Sequence, residues 1–150
     1  MEAMRPVEPD EFGGIPGLRL LTHVGELHSE PGERGSTHRV RAVVHISPDE
    51  PIMRGRHELT HCVLLEAANN ISHWITNQVP MFAGKAFKPP IALPRDMGRP
   101  SLKPGVDIQA EGEICFQHTG GRWRAEVRVC FLRPDGSRAE TVDFPLVERS

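Results

Sequence analysis

The first candidate chemistry lies on one predicted helix, where polar side chains recur at helical spacing. At about 100° per residue they form a narrow stripe, made of Glu66, Asn69, Asn70, His73 and Asn77. The opposite side of the segment is apolar. A carboxylate enclosed by apolar surroundings becomes a better proton acceptor. Glu66 is therefore the candidate general base, with Asn69 or Asn70 holding substrate or water and His73 contacting substrate. A solvated outer helix face is the alternative.

The first turn of this helix is a second candidate site. Its backbone N–H groups have no partner within the helix, and they lie near His61 and Cys62. Such groups stabilise negative charge that develops on a carbonyl oxygen. We therefore expect His61 to take part in catalysis and Cys62 and Val63 to contact the substrate.

The segment His57-Glu58-Leu59-Thr60-His61 also matches the HExxH pattern of zinc hydrolases. In those enzymes two histidines one helical turn apart bind the metal, and the glutamate activates water. No third ligand follows at the usual spacing, and a helix extended back to residue 57 would direct both histidines away from Glu66. We expect no metal and no cofactor, with His57 as a catalytic candidate and zinc held by His57 and His61 as the alternative.

The elements that must position these residues follow from periodicity and from helix and turn signals. Thr60 can cap a helix and Pro80 cannot continue one, which predicts a helix over residues 61–77. Alternation and turn residues predict strands over residues 18–28 and 37–46, 106–116, 123–131 and 142–146, with a turn at 30–33. This order predicts an α+β fold with one helix on a curved antiparallel sheet of about five strands.

The remaining segments are rich in proline and glycine. Residues 1–17 are predicted to be loop-like, and residues 79–105 form a long proline-rich loop that is longer than a passive connection needs to be. Neither segment divides the chain into halves of different composition, so we expect a single domain over residues 1–150.

Composition and charge exclude several classes of protein. Hydrophobic residues make up 38% and charged residues 25% of the chain, which is typical of a folded globular protein rather than a disordered one. The net charge of −2 and the lack of a basic run argue against nucleic acid as a partner. No segment has the pattern of a signal peptide or a membrane span, so we expect a cytoplasmic protein without membrane contact. Cys62, Cys115 and Cys130 lack metal-site or redox spacing, which predicts buried, unpaired thiols.

The element order, together with the segment Val63-Leu64-Leu65-Glu66-Ala67, resembles the hotdog-fold enzymes that act on acyl thioesters. It is most similar to the 3-hydroxyacyl-carrier-protein dehydratases, whose helix begins with a PGVLLLEA-type sequence. Residues 20–24 are similar to the first strand of that family, and residues 103–106 to its RPGD-type segment. The resemblance covers residues 18–147. It implies a hotdog fold, an acyl-carrier-protein or coenzyme A thioester as substrate, and a place in fatty acid or polyketide metabolism.

Two departures from the dehydratase pattern change the expected reaction. The catalytic histidine of that family would fall near Gly14, and its Pro-Gly pair is replaced here by Thr60-His61. Some hotdog thioesterases carry a histidine followed five residues later by glutamate, as His61 and Glu66 do. We therefore expect thioester hydrolysis rather than 3-hydroxyacyl dehydration, which remains the alternative reaction. His23 is the candidate substitute for the missing histidine. A non-catalytic module that binds an acyl chain or a carrier protein is the alternative from another class.

Two further expectations concern binding partners. Arg122, Arg124 and Arg128 share one face of a predicted strand, which is typical of a solvated face with ion pairs to carboxylates such as Glu111 or Glu113. The alternative is that this face, through Arg122 and Arg124, binds the phosphate of coenzyme A or pantetheine. One helix on one small sheet leaves a sheet edge exposed, which predicts a homodimer or a dimer of dimers.

Overall fold

A computed structural model describes residues 3–12, 19–82, 87 and 102–148. Its one α-helix in these ranges is α1, His61–Gln78, and two 3-10 turns cover Pro9–Phe12 and Pro51–Met53. The described residues form seven strands: β1 Arg5–Pro6, β2 Leu21–Val24, β3 His28–Pro31, β4 Gly35–His45, β5 Asp107–Thr119, β6 Arg122–Leu132 and β7 Arg138–Val147. Most of the predicted loop 79–105, namely residues 83–86 and 88–101, lies outside the described residues, as does Gly14.

The strands form one antiparallel sheet in the order β1-β2-β4-β5-β6-β7, and β3 also pairs with β4. The fold is therefore α+β, with one helix on an antiparallel sheet, and this architecture is consistent with a hotdog fold. The predicted number of about five strands was wrong, since the described residues contain seven. β1 is two residues long, and all four residues of β3 are exposed. Neither strand shows the alternation of apolar residues that marks a half-buried strand.

The first predicted strand, over residues 18–28, is divided in the structure. Its centre forms β2, whose register against β4 shifts between Leu21 and His23. Its end begins β3, which extends to Pro31 through the segment predicted to be a turn. Residues 25–27 form no strand, so the single predicted strand becomes two shorter ones.

Helix α1 begins and ends close to its predicted limits. The Thr60 hydroxyl accepts a hydrogen bond from the Val63 N–H at 3.3 Å, as a helix cap does. The helix ends at Gln78, two residues before Pro80. Its apolar side, which includes Leu64, Ala67, Ala68, Ile71 and Ile75, is buried against the sheet. Burial of each large aliphatic side chain contributes about 1.5–3 kcal/mol, which is what holds the helix to the sheet.

A glycine in the central strand sets how closely the helix approaches. Gly112 of β5 faces α1, and a Cβ atom built there would lie 2.6 Å from Ile71 Cγ2. That distance is well inside van der Waals contact, so any larger residue would push the helix and strand apart. Gly112 therefore lets α1 lie directly on the sheet.

The N-terminal residues form a clasp over the other side of the helix. We define the clasp as residues 5–12, part of the segment predicted to be loop-like. Two Arg5 guanidinium nitrogens donate to the Glu11 carboxylate at 2.6 and 3.0 Å. The Trp74 Nε1 donates to the same carboxylate at 3.3 Å, and the Asn77 Nδ2 donates to the Glu11 backbone carbonyl at 2.8 Å. The clasp thereby covers the C-terminal half of the helix.

The structure also bears on the predictions about the cysteines and about membrane spans. All three cysteines are free thiols, but Cys62 is exposed and Cys115 is half-buried, so the prediction of buried thiols is confirmed only for Cys130. Cys62 lies on the first turn of α1, on a side that does not face the sheet. In the described ranges, no helix is both long and apolar enough to cross a membrane.

We expect Gly112→Ala to lower the free energy of unfolding by about 1–3 kcal/mol, because the new methyl group overpacks the contact with Ile71. Urea unfolding followed by circular dichroism measures the change. Gly32→Ala is the matched control, since a Cβ there has its nearest neighbour at an ordinary 3.5 Å. Equal unfolding midpoints for the two variants would contradict the assigned role of Gly112.

The clasp is expected to weaken in acid. Its hydrogen bonds from Arg5 hold the pKa of Glu11 at about 2, below the ordinary value of 4.5. Because the folded-state pKa is depressed, this stabilisation is fully present above about pH 4.5 and is lost as the pH falls towards 2. We expect Glu11→Gln to be less stable than the wild type at pH 7 and the difference to shrink at pH 3. Denaturant unfolding at both values tests this, with exposed Glu33→Gln as the control. A difference that does not depend on pH would argue against the Arg5–Glu11 pair.

Candidate functional site

The predicted polar stripe of α1 lies away from the sheet, yet none of its five residues is exposed. Asn70 is buried at 5% exposure. Glu66, Asn69, His73 and Asn77 are half-buried. A stripe of charged and amide groups at this depth needs hydrogen-bond partners or a ligand. The side chains of Asn70 and Asn77 find hydrogen-bond partners within the described residues, whereas those of Glu66 and Asn69 do not.

Asn70 is fully engaged with backbone. Its Oδ1 accepts from the Leu20 N–H at 2.8 Å and lies 3.5 Å from the Leu21 nitrogen, while its Nδ2 donates to the Glu66 carbonyl at 3.3 Å. The side chain thus fixes the start of β2 against the helix. Among the described residues only the second Nδ2 hydrogen has no acceptor, so the predicted catalytic role of Asn70 would depend on that hydrogen.

Four side chains of the helix remain chemically open: Cys62, Glu66, Asn69 and His73. We call them the open face. The Glu66 carboxylate and the Asn69 amide form no hydrogen bond or ion pair with the described residues. Residues four apart on a helix are neighbours, so the exposed Cys62 lies one turn before Glu66. Burial lowers the pKa of His73, helped by the positive charge of Arg19, so this imidazole is neutral near pH 7.

The N-terminus of α1 adjoins the open face. Because the Thr60 hydroxyl takes the Val63 N–H, the backbone N–H groups of His61 and Cys62 are left without a hydrogen bond to the described residues. These are the donors expected at a helix start. The side chain of Val63, predicted to contact substrate, lies instead in the apolar core at 1% exposure.

His61 has a partner that the sequence did not indicate. Its Nδ1 lies 3.8 Å from the Glu140 Oε1 of β7. His61 and Glu66, which were paired by their spacing, lie about 140° apart around the helix. The structure therefore brings His61 to the sheet side and Glu66 to the open face. No local sequence signal could have identified Glu140 as the partner, because it lies far from His61 along the chain.

The zinc alternative required His57 and His61 to lie one helical turn apart. The helix begins at His61, and His57 is exposed in the preceding segment. No group of three or more histidine, cysteine, aspartate or glutamate side chains is placed to hold a metal ion in the described part of the chain. The structure therefore does not give HExxH its metal-binding geometry.

The other predicted binding residues lie apart from the helix N-terminus. His23 is half-buried in β2, with its Nδ1 2.9 Å from the Thr22 hydroxyl. Arg122 and Arg124 are exposed at the start of β6. The end of that strand reaches the helix N-terminus, since Phe131 pairs with Glu140. Seven residues of strand, roughly 23 Å, separate Arg124 from that point.

The outer face of the sheet carries a charged row, in which Arg128 pairs with a carboxylate as expected of such a face, whereas Arg122 and Arg124 form no ion pair with the described residues. Arg39 bonds Glu113 at 2.7 Å, and Arg128 bonds Asp143 at 2.8 Å. Charged side chains, including both of these arginines, also line a recess of about 660 Å³ on this face. The recess opens on the side of the sheet away from α1, because charged lining residues such as Glu111 and Glu113 flank Gly112, which faces the helix.

We expect Asn70→Ala to lower the free energy of unfolding by about 1–3 kcal/mol, because the Leu20 N–H would lose its acceptor in a buried place. Urea unfolding measures the loss. Asn69→Ala is the matched control on the same helix, since its amide has no such bond, and its midpoint is expected to change little. A smaller effect for Asn70→Ala than for Asn69→Ala would contradict the backbone-fixing role.

Comparisons with known proteins add no name to this arrangement. No protein-family model matches the chain, and no curated protein matches it significantly. The function must therefore be inferred from the fold and from the side chains themselves.

Proposed function

We propose that this protein acts on acyl thioesters of a carrier protein or coenzyme A, and that it hydrolyses them. The observation that carries the proposal is the half-buried Glu66 carboxylate, which lies one helical turn from two backbone N–H groups; neither it nor they have a hydrogen-bond partner among the described residues. The α+β architecture, with one helix on an antiparallel sheet, supports it because this architecture is consistent with a hotdog fold.

In the proposed reaction the thioester carbonyl lies at the N-terminus of α1. Glu66 accepts a proton from water as the water oxygen attacks the carbonyl carbon. The N–H groups of His61 and Cys62 stabilise the resulting oxyanion, aided by the helix dipole. The carbon–sulfur bond then breaks, and the thiolate leaves and takes up a proton, so the products are a carboxylic acid and a free thiol. Cys62 and Glu66 are about 6 Å apart along the helix axis, which leaves room for one water between carboxylate and substrate.

We favour hydrolysis over dehydration because elimination of water needs a second acid–base group opposite the glutamate. Among the described residues, no histidine forms a hydrogen bond or ion pair with Glu66. Dehydration of a 3-hydroxyacyl thioester is the second candidate, supported by the sequence around Glu66. The proposal includes a homodimer that covers the open face, and Arg122 and Arg124 remain predicted contacts for a pantetheine phosphate.

Glu66→Gln is expected to lower kcat by about 10²–10⁴ with little change in KM, because the amide keeps the shape of the side chain but cannot accept the proton. The assay follows free thiol and enoyl product separately, over saturated and 3-hydroxyacyl thioesters of several lengths. Glu33→Gln, in an exposed turn, is the control and should keep wild-type turnover. Circular dichroism checks that both variants are folded.

The same panel separates the candidate functions. Free thiol without enoyl product supports hydrolysis, while enoyl product assigns dehydration and overturns hydrolysis. Binding of thioesters without turnover would show that the protein is a binding module and not an enzyme. Full activity in Glu66→Gln would remove Glu66 from its role.

A further inference from the structure

We propose that Glu140 is the positioning residue of His61, holding the imidazole with its proton on Nδ1 and its Nε2 free to accept a hydrogen bond at the substrate end of α1. The importance of this pair for catalysis rests on the proposed function. The arrangement of the two side chains does not, and it can be tested without substrate.

The two side chains meet where the helix begins and where β7 passes beneath it. The distance from His61 Nδ1 to Glu140 Oε1 is 3.8 Å, and the side chains are 19% and 10% exposed. Burying most of a carboxylate costs free energy of folding unless a hydrogen-bond donor satisfies it. The imidazole is the group that lies in position to be that donor.

The imidazole has the matching deficit. In the described part of the chain, His61 Nδ1 is the one buried side-chain nitrogen or oxygen without a hydrogen-bond partner. An unsatisfied buried polar atom destabilises the folded protein. A distance of 3.8 Å is too long for a hydrogen bond, but a shift of less than 1 Å would close it. Hydrogen bonds in sites without substrate are often long in this way and shorten when substrate binds.

The arrangement decides what the other ring nitrogen can do. A neutral imidazole carries its proton on one nitrogen and accepts through the other. With Nδ1–H directed to Glu140, the lone pair is on Nε2, which makes no hydrogen bond with the described residues and is not among the buried unsatisfied atoms. Nε2 then accepts a hydrogen bond from water or substrate beside the free N–H groups of His61 and Cys62. This is the logic of a base oriented by a carboxylate.

Nitrogen-15 NMR of the histidine side chains tests the pair, since the ring shifts report which nitrogen carries the proton. In the wild type we expect His61 to carry it on Nδ1. Glu140→Ala should change this to a mixture with the proton largely on Nε2. Glu140→Gln should restore the Nδ1–H form, because the amide oxygen still accepts. Asp143→Ala is the control, as Asp143 lies on the same strand but pairs with Arg128 on the outer face.

Kinetics then connect the pair to function. In an enzyme with measurable turnover, Glu140→Ala should lower kcat at least about tenfold, and should have no further effect when His61 is already alanine. A wild-type His61 with its proton on Nε2, or an unchanged spectrum in Glu140→Ala, would overturn the proposal. The wild-type spectrum alone decides this if the alanine variant does not fold. Absence of thioester turnover would overturn only the proposed function, because the tautomer is measured without substrate.

Discussion

The contact between α1 and the sheet is the constraint on which the rest of the molecule depends. One helix supplies the apolar layer over the sheet, and Gly112 allows it to approach until Ile71 touches the β5 backbone region. Such an approach directs one side of the helix entirely into the core. The five residues of the polar stripe then lie on the remaining surface, where each is either covered by other parts of the chain or left open for a ligand.

The covering is divided along the length of the helix. Its C-terminal half is closed by the clasp, where Glu11 receives hydrogen bonds from Trp74 and Asn77. Its middle is closed by the start of β2, which uses the amide of Asn70. The N-terminal half has no such cover in the described residues, and there Glu66 remains unpartnered. Polar groups with structural duties, Asn70 and Asn77, thus share one stripe of the helix with the open side chains of Glu66, Asn69 and His73.

The sequence allowed accurate prediction of the features that local patterns determine. The helix limits followed from Thr60 and Pro80, and the long central strands followed from alternation of apolar residues, because each strand has one buried face. β1 and β3 were missed because they are exposed and have no such alternation. The clasp was predicted as a loop for the same reason, since its position is set by individual hydrogen bonds to the helix rather than by a periodic pattern of residues. The role of Asn70 was also beyond reach, because an amide that binds backbone fifty residues away resembles one that binds substrate.

The two sequence interpretations of His61 show how one capping residue decides between chemistries. Both interpretations paired it with a close neighbour, His57 for zinc or Glu66 for catalysis. The zinc pairing needs a helix that continues back through residue 57, but Thr60 has extended backbone angles, φ −93° and ψ 164°, and its hydroxyl caps the helix. His57 therefore falls outside the helix. The same cap makes His61 the first helical residue, and its position there turns the ring towards β7 rather than towards the open face. A carboxylate on that strand then becomes its nearest ionisable partner, so the cap that removes the metal motif also brings His61 and Glu140 together.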